Sequence, residues 1–262
     1  GERVLLTGAA GGIGSALAEK LAKRGARLAL LARRESDLEV LANRMDQPNV
    51  SVHLLAADLL DTQQVAQAVA DARQRLGGVD ILINCAGLMS FRPFSEEEPD
   101  ALTHVIELNL IAPMLITRHL LPGMLEQGSG KVVNVGSTFG SIGFAWFAAY
   151  SASKFGLRGF SEALRRELDG SGISVAYVAP RAVKTRLNSG AVYRMAEAIS
   201  MRMDEPEWVA DRILSAIEHE AKDVYLGFPE KFFARLNSLL PRVVDGGLRK
   251  QNQVMETFAR ET

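Results

Sequence analysis

Tyr150 and Lys154 stand four residues apart in the stretch AAYSASKF. The alanines and Phe155 around them favour a helix, on which positions i and i+4 share a face. A phenol and an ammonium group are therefore expected to point the same way. Ser137 follows KVVNV, an apolar β-branched run that reads as a buried strand. Its place at the strand's C-terminal edge would bring a hydroxyl near the phenol. A phenol titrates near pH ~10, too high to shuttle protons at neutrality. A neighbouring cation favours the phenolate and lowers that value, and a serine hydroxyl can hold a substrate oxygen by hydrogen bond. Such a trio moves a proton on or off an oxygen. The alternative is a helical tyrosine, a solvated lysine and a loop serine, and the tyrosine–lysine spacing alone does not separate the two. The N-terminal half of the chain has to decide.

That half alternates strands and helices. Arg3 to Thr7 is a short apolar strand running into Gly8-Ala9-Ala10-Gly11-Gly12-Ile13-Gly14. Ser15 to Lys23 has helical periodicity, Gly25 ends it, and Arg27 to Ala32 is a second strand. A strand, glycine turn, helix and strand in this order is the context in which glycines bring the backbone close to a pyrophosphate at a helix N-terminus. Further on, Glu35 to Arg44 reads as helix, Val50 to Ala56 as strand, Thr62 to Leu76 as helix and Asp80 to Ile83 as strand. A long helix is expected from Asp100 to Leu121, kinked or broken at Pro113. The strand Val132 to Val135, the Tyr150 helix to about Leu168, and the strand Ile173 to Ala179 follow. Strands joined by helices throughout imply an α/β fold, a parallel sheet covered on both faces and doubly wound by right-handed crossovers. Ligands in such sheets sit beyond the strand C-termini, where the glycine turn, Asn84, Ser137 and the Tyr150 helix all fall.

The totals exclude several alternatives. The chain has 262 residues, with 30 Lys and Arg against 31 Asp and Glu. A net charge of −1 gives no electrostatic reason to expect nucleic acid as a partner. One cysteine, Cys85, excludes an internal disulfide and is compatible with a reducing compartment. No metal-ligand cluster is expected. No run of consecutive apolar residues reaches the roughly 18–20 of a membrane span. The opening residues GERVLLTGAAG lack the layout of a signal peptide. A cytoplasmic location is the expectation.

Thr7-Gly8-Ala9-Ala10-Gly11-Gly12-Ile13-Gly14, Asn84-Cys85-Ala86-Gly87, Asn109, Ser137 and Tyr150-x-x-x-Lys154, in this order, resemble the short-chain dehydrogenase/reductase family over residues 3 to 185. The resemblance implies a single Rossmann-type domain with a mostly parallel seven-stranded sheet. It implies that Tyr150 is the general acid/base, that Lys154 lowers its pKa and holds the nicotinamide ribose, and that Ser137 orients the substrate carbonyl. Asn109 would support a water leading toward Lys154, or else cap a helix kink. Thr7, Gly8, Gly12, Ile13 and Gly14 would form the cofactor turn. Asp58 and Leu59 would meet the adenine. Asn84, Ala86 and Gly87 would sit beside the adenosine ribose, with a structural role in the sheet as the alternative for Asn84 and Gly87. Pro180, Val183 and Thr185 would flank the nicotinamide, Thr185 at its carboxamide. Three positions depart from the family pattern: Cys85 where asparagine is usual, Gly136 where serine is common, and Arg181 where glycine is usual. Arg181 would contact the cofactor or an anionic substrate, or face solvent.

The second strand bears on the cofactor. An acid at its end would bind ribose hydroxyls and repel a 2′-phosphate. Here it ends Leu31-Ala32-Arg33-Arg34, without an acid. Arg33 can pair with the phosphate, so NADP(H) is expected over NAD(H); the alternative leaves both arginines solvated. Residues 1–228 are expected to form the catalytic domain, with a substrate lid at about 186–204 rich in methionine. Its apolar content suggests a ketone or alcohol that is steroid-, lipid- or acyl-like, or else ordinary helix packing. Pro206 to Glu218 reads as helix and Val224 to Leu226 as the last strand. Residues 229–262 form a helical extension with apolar residues at 232, 233, 236, 239 and 240 and cations at Lys231, Arg235, Arg242, Arg249 and Lys250. It would pack on its own domain or a sister subunit, in a homodimer or homotetramer, or touch a membrane surface. The competing functional classes are a non-catalytic nucleotide-binding regulator and a membrane-associated interaction protein.

Overall fold

The computed structural model describes residues 1–45, 51–228 and 230–261. Seven strands form one sheet in the order β3-β2-β1-β4-β5-β6-β7: β1 (Arg3–Thr7), β2 (Arg27–Ala32), β3 (Val52–Ala56), β4 (Ile81–Asn84), β5 (Gly130–Val135), β6 (Ile173–Ala179) and β7 (Asp223–Tyr225). Every pairing is parallel. The expected strand ends shift by one residue at β4 and β7, and Val50 lies outside the described residues. Strand order reverses at β1, between β2 and β4, which opens a crevice at their C-terminal ends.

Side chains alternate across the sheet, so β1 sends Val4 and Leu6 to one face and Leu5 to the other. The first face buries Leu17 and Leu21 of α1 (Gly12–Lys23), Leu38 and Leu41 of α2 (Glu35–Arg44), and Val209 and Ile213 of α8 (Pro206–Glu218). The second buries Val65 and Val69 of α3 (Thr62–Leu76), Ile116 and Leu120 of α5 (Ala112–Gln127), and Leu164 of α6 (Ala148–Glu167). These helices present their apolar stripes at helical spacing, as an element packed on one side of a sheet must.

The long helix expected from Asp100 to Leu121 is three pieces. These are α4 (Pro99–Ile106), a π-helical turn at Glu107–Ile111, and α5. Pro113 lies in the first turn of α5 and has no N–H to return to the preceding turn, so the helix widens there instead of breaking. Pro99–Gln127, 29 residues with an 18-residue stretch of mean hydropathy 1.2, is long and apolar enough to cross a membrane. No consecutive apolar run had suggested this. The cause is a sparse scatter of charges, and the helix packs on α3 and the sheet. Beyond β6, α7 (Gly190–Ala198) occupies the expected lid. The extension folds into α9 (Glu230–Leu239) and α10 (Pro241–Ala259), with α10 packed on α7 and α9 against the turn after Ser137.

Candidate active site

Ser137 leaves the end of β5, and Tyr150 and Lys154 lie on the first turns of α6. All three are buried at 8%, 7% and 4% exposure, and they line one cleft of about 530 Å³. The Lys154 ammonium sits 5.7 Å from the centre of the Tyr150 ring and donates to the Val135 carbonyl at 3.1 Å. Burial pushes the Tyr150 phenol up to about 12, opposed by a hydrogen bond with Ser137, and lowers Lys154 to about 8. The expectation that the lysine charge lowers the phenol is therefore corrected for the protein by itself. Desolvation by burial is the largest influence on each group.

The same cleft is lined by Gly8, Gly12, Ile13, Gly14, Arg33, Asp58, Leu59, Ala86, Gly87, Pro180, Val183 and Thr185. Gly8 has φ +65, and a Cβ there would come within 2.6 Å of the Ala86 Cα, so the turn can pass this close to β4 only without a side chain. The N-terminus of α1 carries no side-chain cap and no acid in its first turn, which leaves its amides suited to an anion. A pyrophosphate fits that donor set. Arg34 is held by Asp37 at 2.8 Å, which leaves Arg33 as the arginine of this pair that lines the cleft.

Three expected site residues do not line it. The Thr7 hydroxyl accepts from the Cys85 and Ala86 amides at 3.1 and 3.2 Å, tying β1 to the loop after β4. Asn84 is buried and donates to Asn134 at 2.8 Å, so the structural alternative describes it. Asn109, fully buried in the π-helical turn, accepts from Leu88 N–H at 2.8 Å and donates to the Leu88 carbonyl at 2.7 Å and to Ser153 at 2.9 Å. It braces the 87–88 loop onto α6, and a Cβ added at Gly87 would stand 3.4 Å from its Oδ1 and 3.8 Å from Lys154 Nζ, space that the glycine leaves unfilled. Arg181, by contrast, lines the cleft and is not the solvent-facing arginine of the alternative reading. It forms a fork with Asp204 at 2.9 and 2.6 Å, with the two side chains 12% and 10% exposed, and pins the far end of the lid.

A family model for short chain dehydrogenase matches residues 2–195. The chain belongs to the short-chain dehydrogenase/reductase family. It is accordingly an oxidoreductase acting on a CH–OH or carbonyl carbon, which sets aside a non-catalytic nucleotide-binding role. It is 33% identical over 224 residues to ketoacyl reductase HetN of Nostoc sp., covering 86% of this chain and 78% of that one. The structure of an actinorhodin polyketide ketoreductase variant with NADPH is similar at TM-score 0.78 and 30% identity, covering 86% of this chain and 95% of that one. A short-chain dehydrogenase from Streptomyces avermitilis is similar at TM-score 0.80 and 31% identity, covering 97% and 96%.

An aromatic wall stands beside Tyr150. Phe91 stacks on Phe147, and Phe139 stacks on Phe144 and meets Phe147 and Tyr150 edge-on. Val192 and Met195 of α7, with Met255 and Ala259 of α10, complete the cluster. The sequence reading singled out the lid methionines but missed the phenylalanines and Met255. The aromatics at 139, 144 and 147 lie in a segment with no regular period, and Met255 is remote in sequence, so neither had a local signal.

Proposed function

We propose that the chain is an NADP(H)-dependent reductase of apolar ketones, working on the matching secondary alcohols in the opposite direction. The observation that carries the reading is that Ser137, Tyr150 and Lys154 line one cleft with an uncapped glycine turn, beside a wall of phenylalanine and methionine. Gly8, Gly12, Ile13 and Gly14 would hold the pyrophosphate, Arg33 the 2′-phosphate, Asp58 and Leu59 the adenine, Ala86 and Gly87 the ribose, and Pro180, Val183 and Thr185 the nicotinamide side. When bound, the nicotinamide gives or takes a hydride at its C4. Ser137 donates its hydroxyl proton in a hydrogen bond to the carbonyl oxygen and orients it. Tyr150 gives its phenolic proton to that oxygen as charge develops there, and takes it back from the alcohol in reverse. Lys154, charged at neutral pH, stabilises the phenolate left behind. Asn109 keeps the 87–88 loop in register with α6.

The names of the relatives, a ketoacyl reductase and a polyketide ketoreductase, favour a ketone carried on an apolar or acyl-like skeleton. Bound NADPH in the second supports the phosphate-bearing cofactor. Exposed Ile111 and Leu125 next to and on α5 and Phe155 on α6 suit a homo-oligomer built on those helices. The protein is read as cytoplasmic and peripheral to an anionic membrane through α9 and the start of α10.

A panel of apolar ketones, followed by absorbance with NADPH and with NADH, tests the reading. Tyr150→Phe should lose more than about a hundredfold in kcat, the scale of a positioned acid. Arg33→Asp should weaken NADPH far more than NADH. Turnover by Tyr150→Phe at the wild-type rate overturns the catalytic reading, and equal loss for both cofactors overturns the cofactor reading.

A further inference from the structure

The family departure at Gly136 has a partner across the sheet. Tyr177, on β6, is fully buried, and its ring occupies the space where a side chain at 136 would stand. A Cβ at Gly136 would overlap the ring, and one at Gly140 would overlap both the hydroxyl and the Lys154 backbone carbonyl. The ring thus enters between two glycines that bracket Ser137. Once there, its hydroxyl donates to the Ser137 carbonyl at 3.0 Å and accepts from the Ser137 N–H at 3.3 Å. Both peptide groups of one extended residue are thereby fixed by one phenol.

We propose that Tyr177 is a positioning residue that sets the direction of the Ser137 hydroxyl, and that Gly136 is a glycine because it admits the ring. The inference rests on the reading of Ser137 as the group that orients the carbonyl. Ser137 has one rotor between its backbone and its Oγ, so a backbone fixed at both N–H and C=O confines the hydroxyl to a few staggered positions. The Phe139 amide, donating to Ser137 Oγ at 3.1 Å, selects among them. Packing alone does not explain the tyrosine. Phenylalanine fills the same volume, and a buried hydroxyl is costly unless bonded. Burial pushes the Tyr177 phenol above its ordinary range, so it stays a neutral donor through the working pH range and adds no charge beside Tyr150. Leu110, Leu157 and Phe160 surround the ring, Tyr225 packs beside it, and Tyr177 itself does not line the cleft.

The experiment compares Tyr177→Phe, Ser137→Ala and the double variant with one ketone from the panel. Tyr177→Phe should lower kcat about tenfold, the scale of one hydrogen bond, with NADPH affinity by fluorescence unchanged. The double variant should be no slower than Ser137→Ala alone, because the tyrosine acts through the serine. A second arm uses Gly136→Ser, expected to cut activity at least tenfold. Adding Tyr177→Ala vacates the overlapped space and should restore the stability lost in Gly136→Ser, with activity recovering no further than that of Tyr177→Phe, because the hydroxyl that fixes Ser137 is gone. Wild-type kcat in Tyr177→Phe overturns the inference, as does full additivity with Ser137→Ala, or a fall in NADPH affinity that matches the fall in kcat. If Ser137→Ala itself turns over normally, the reading of Ser137 fails instead, and the two failures are told apart. Should Gly136→Ser not fold, the Tyr177→Phe comparison decides alone.

Discussion

Lys154 is a charge placed where charge is costly. Burial lowers it from an ordinary 10.5 to about 8, so at pH 7 it is still protonated and the fold carries the cost of enclosing it. Between pH 8 and 10.5 the unfolded chain keeps the proton that the folded chain releases, so this residue makes stability rise with pH across that window. Below pH 8 the full cost is present, at most about 3 kcal/mol. Lys154→Met is expected to gain about 1–3 kcal/mol at pH 7 while losing activity, as active-site substitutions that relieve strain do. Denaturant melts at pH 7 and pH 10 check this: the gap should shrink at the higher pH. A gap that holds constant, or a less stable variant at pH 7, contradicts it. Cys85, at the family's asparagine position, faces the same cavity and has its thiol pushed up to about 12 by burial, against the pull of Lys154. It stays a neutral thiol and adds no negative charge beside Lys154.

At the scale of elements, α7 and the C-terminal extension are packed into one unit. Trp146, with φ +69, sits in a backbone conformation that non-glycine residues rarely adopt. Its carbonyl accepts from Arg92 N–H and its indole donates to the Asn252 carbonyl on α10, both at 3.0 Å. Arg194 of α7 pairs with Glu261 just past α10. These ties hold Met255, fully buried, against the phenylalanines beside Tyr150. Met255→Ala should cost about 2–3 kcal/mol, the lower part of the range for a large-to-small change in a core. It should raise KM for an apolar ketone and leave NADPH affinity alone, because α10 packs on α7 and the aromatic cluster beside Tyr150 rather than on the glycine turn. Urea melts and steady-state kinetics report both. An unchanged KM would mean that α10 only stabilises the fold.

The whole molecule exposes more apolar surface at its C-terminal end than its fold requires. Phe228 and Leu239 are each 79% exposed, and Phe232, Leu240 and Val243 lie open beside them. Between positions 231 and 250, Lys231, Arg235, Arg242, Arg249 and Lys250 stand against one acid, Asp245. Exposed apolar side chains rimmed with cations suit an anionic bilayer surface. The protein should float with vesicles containing anionic lipid and remain below purely zwitterionic ones, and Phe232→Ser with Leu239→Ser should abolish flotation without changing oligomeric mass. Flotation unaffected by the pair of substitutions, or absent with anionic vesicles, contradicts the membrane reading. Loss of oligomeric mass in the variant would assign the patch to a second copy of the chain.

Local pattern was enough to read the alternating strands and helices, the glycine turn, the trio and the rim that gathers them. Strand and helix periodicity is local, and a parallel doubly wound sheet sends every strand's C-terminus to the same edge. α3, β6 and α8 have the limits expected for them. What depended on the folded chain was everything set by neighbours distant in sequence. Asn84 turned to Asn134, Asn109 to Leu88 and Ser153, and Arg181 to Asp204. Tyr177 reached Ser137 from 40 residues away through two glycines. Met255 reached the Tyr150 wall from more than a hundred. The reversed shift of the Tyr150 phenol belongs with these: a sequence states which charges are near each other, whereas desolvation depends on how much of the rest of the molecule encloses them.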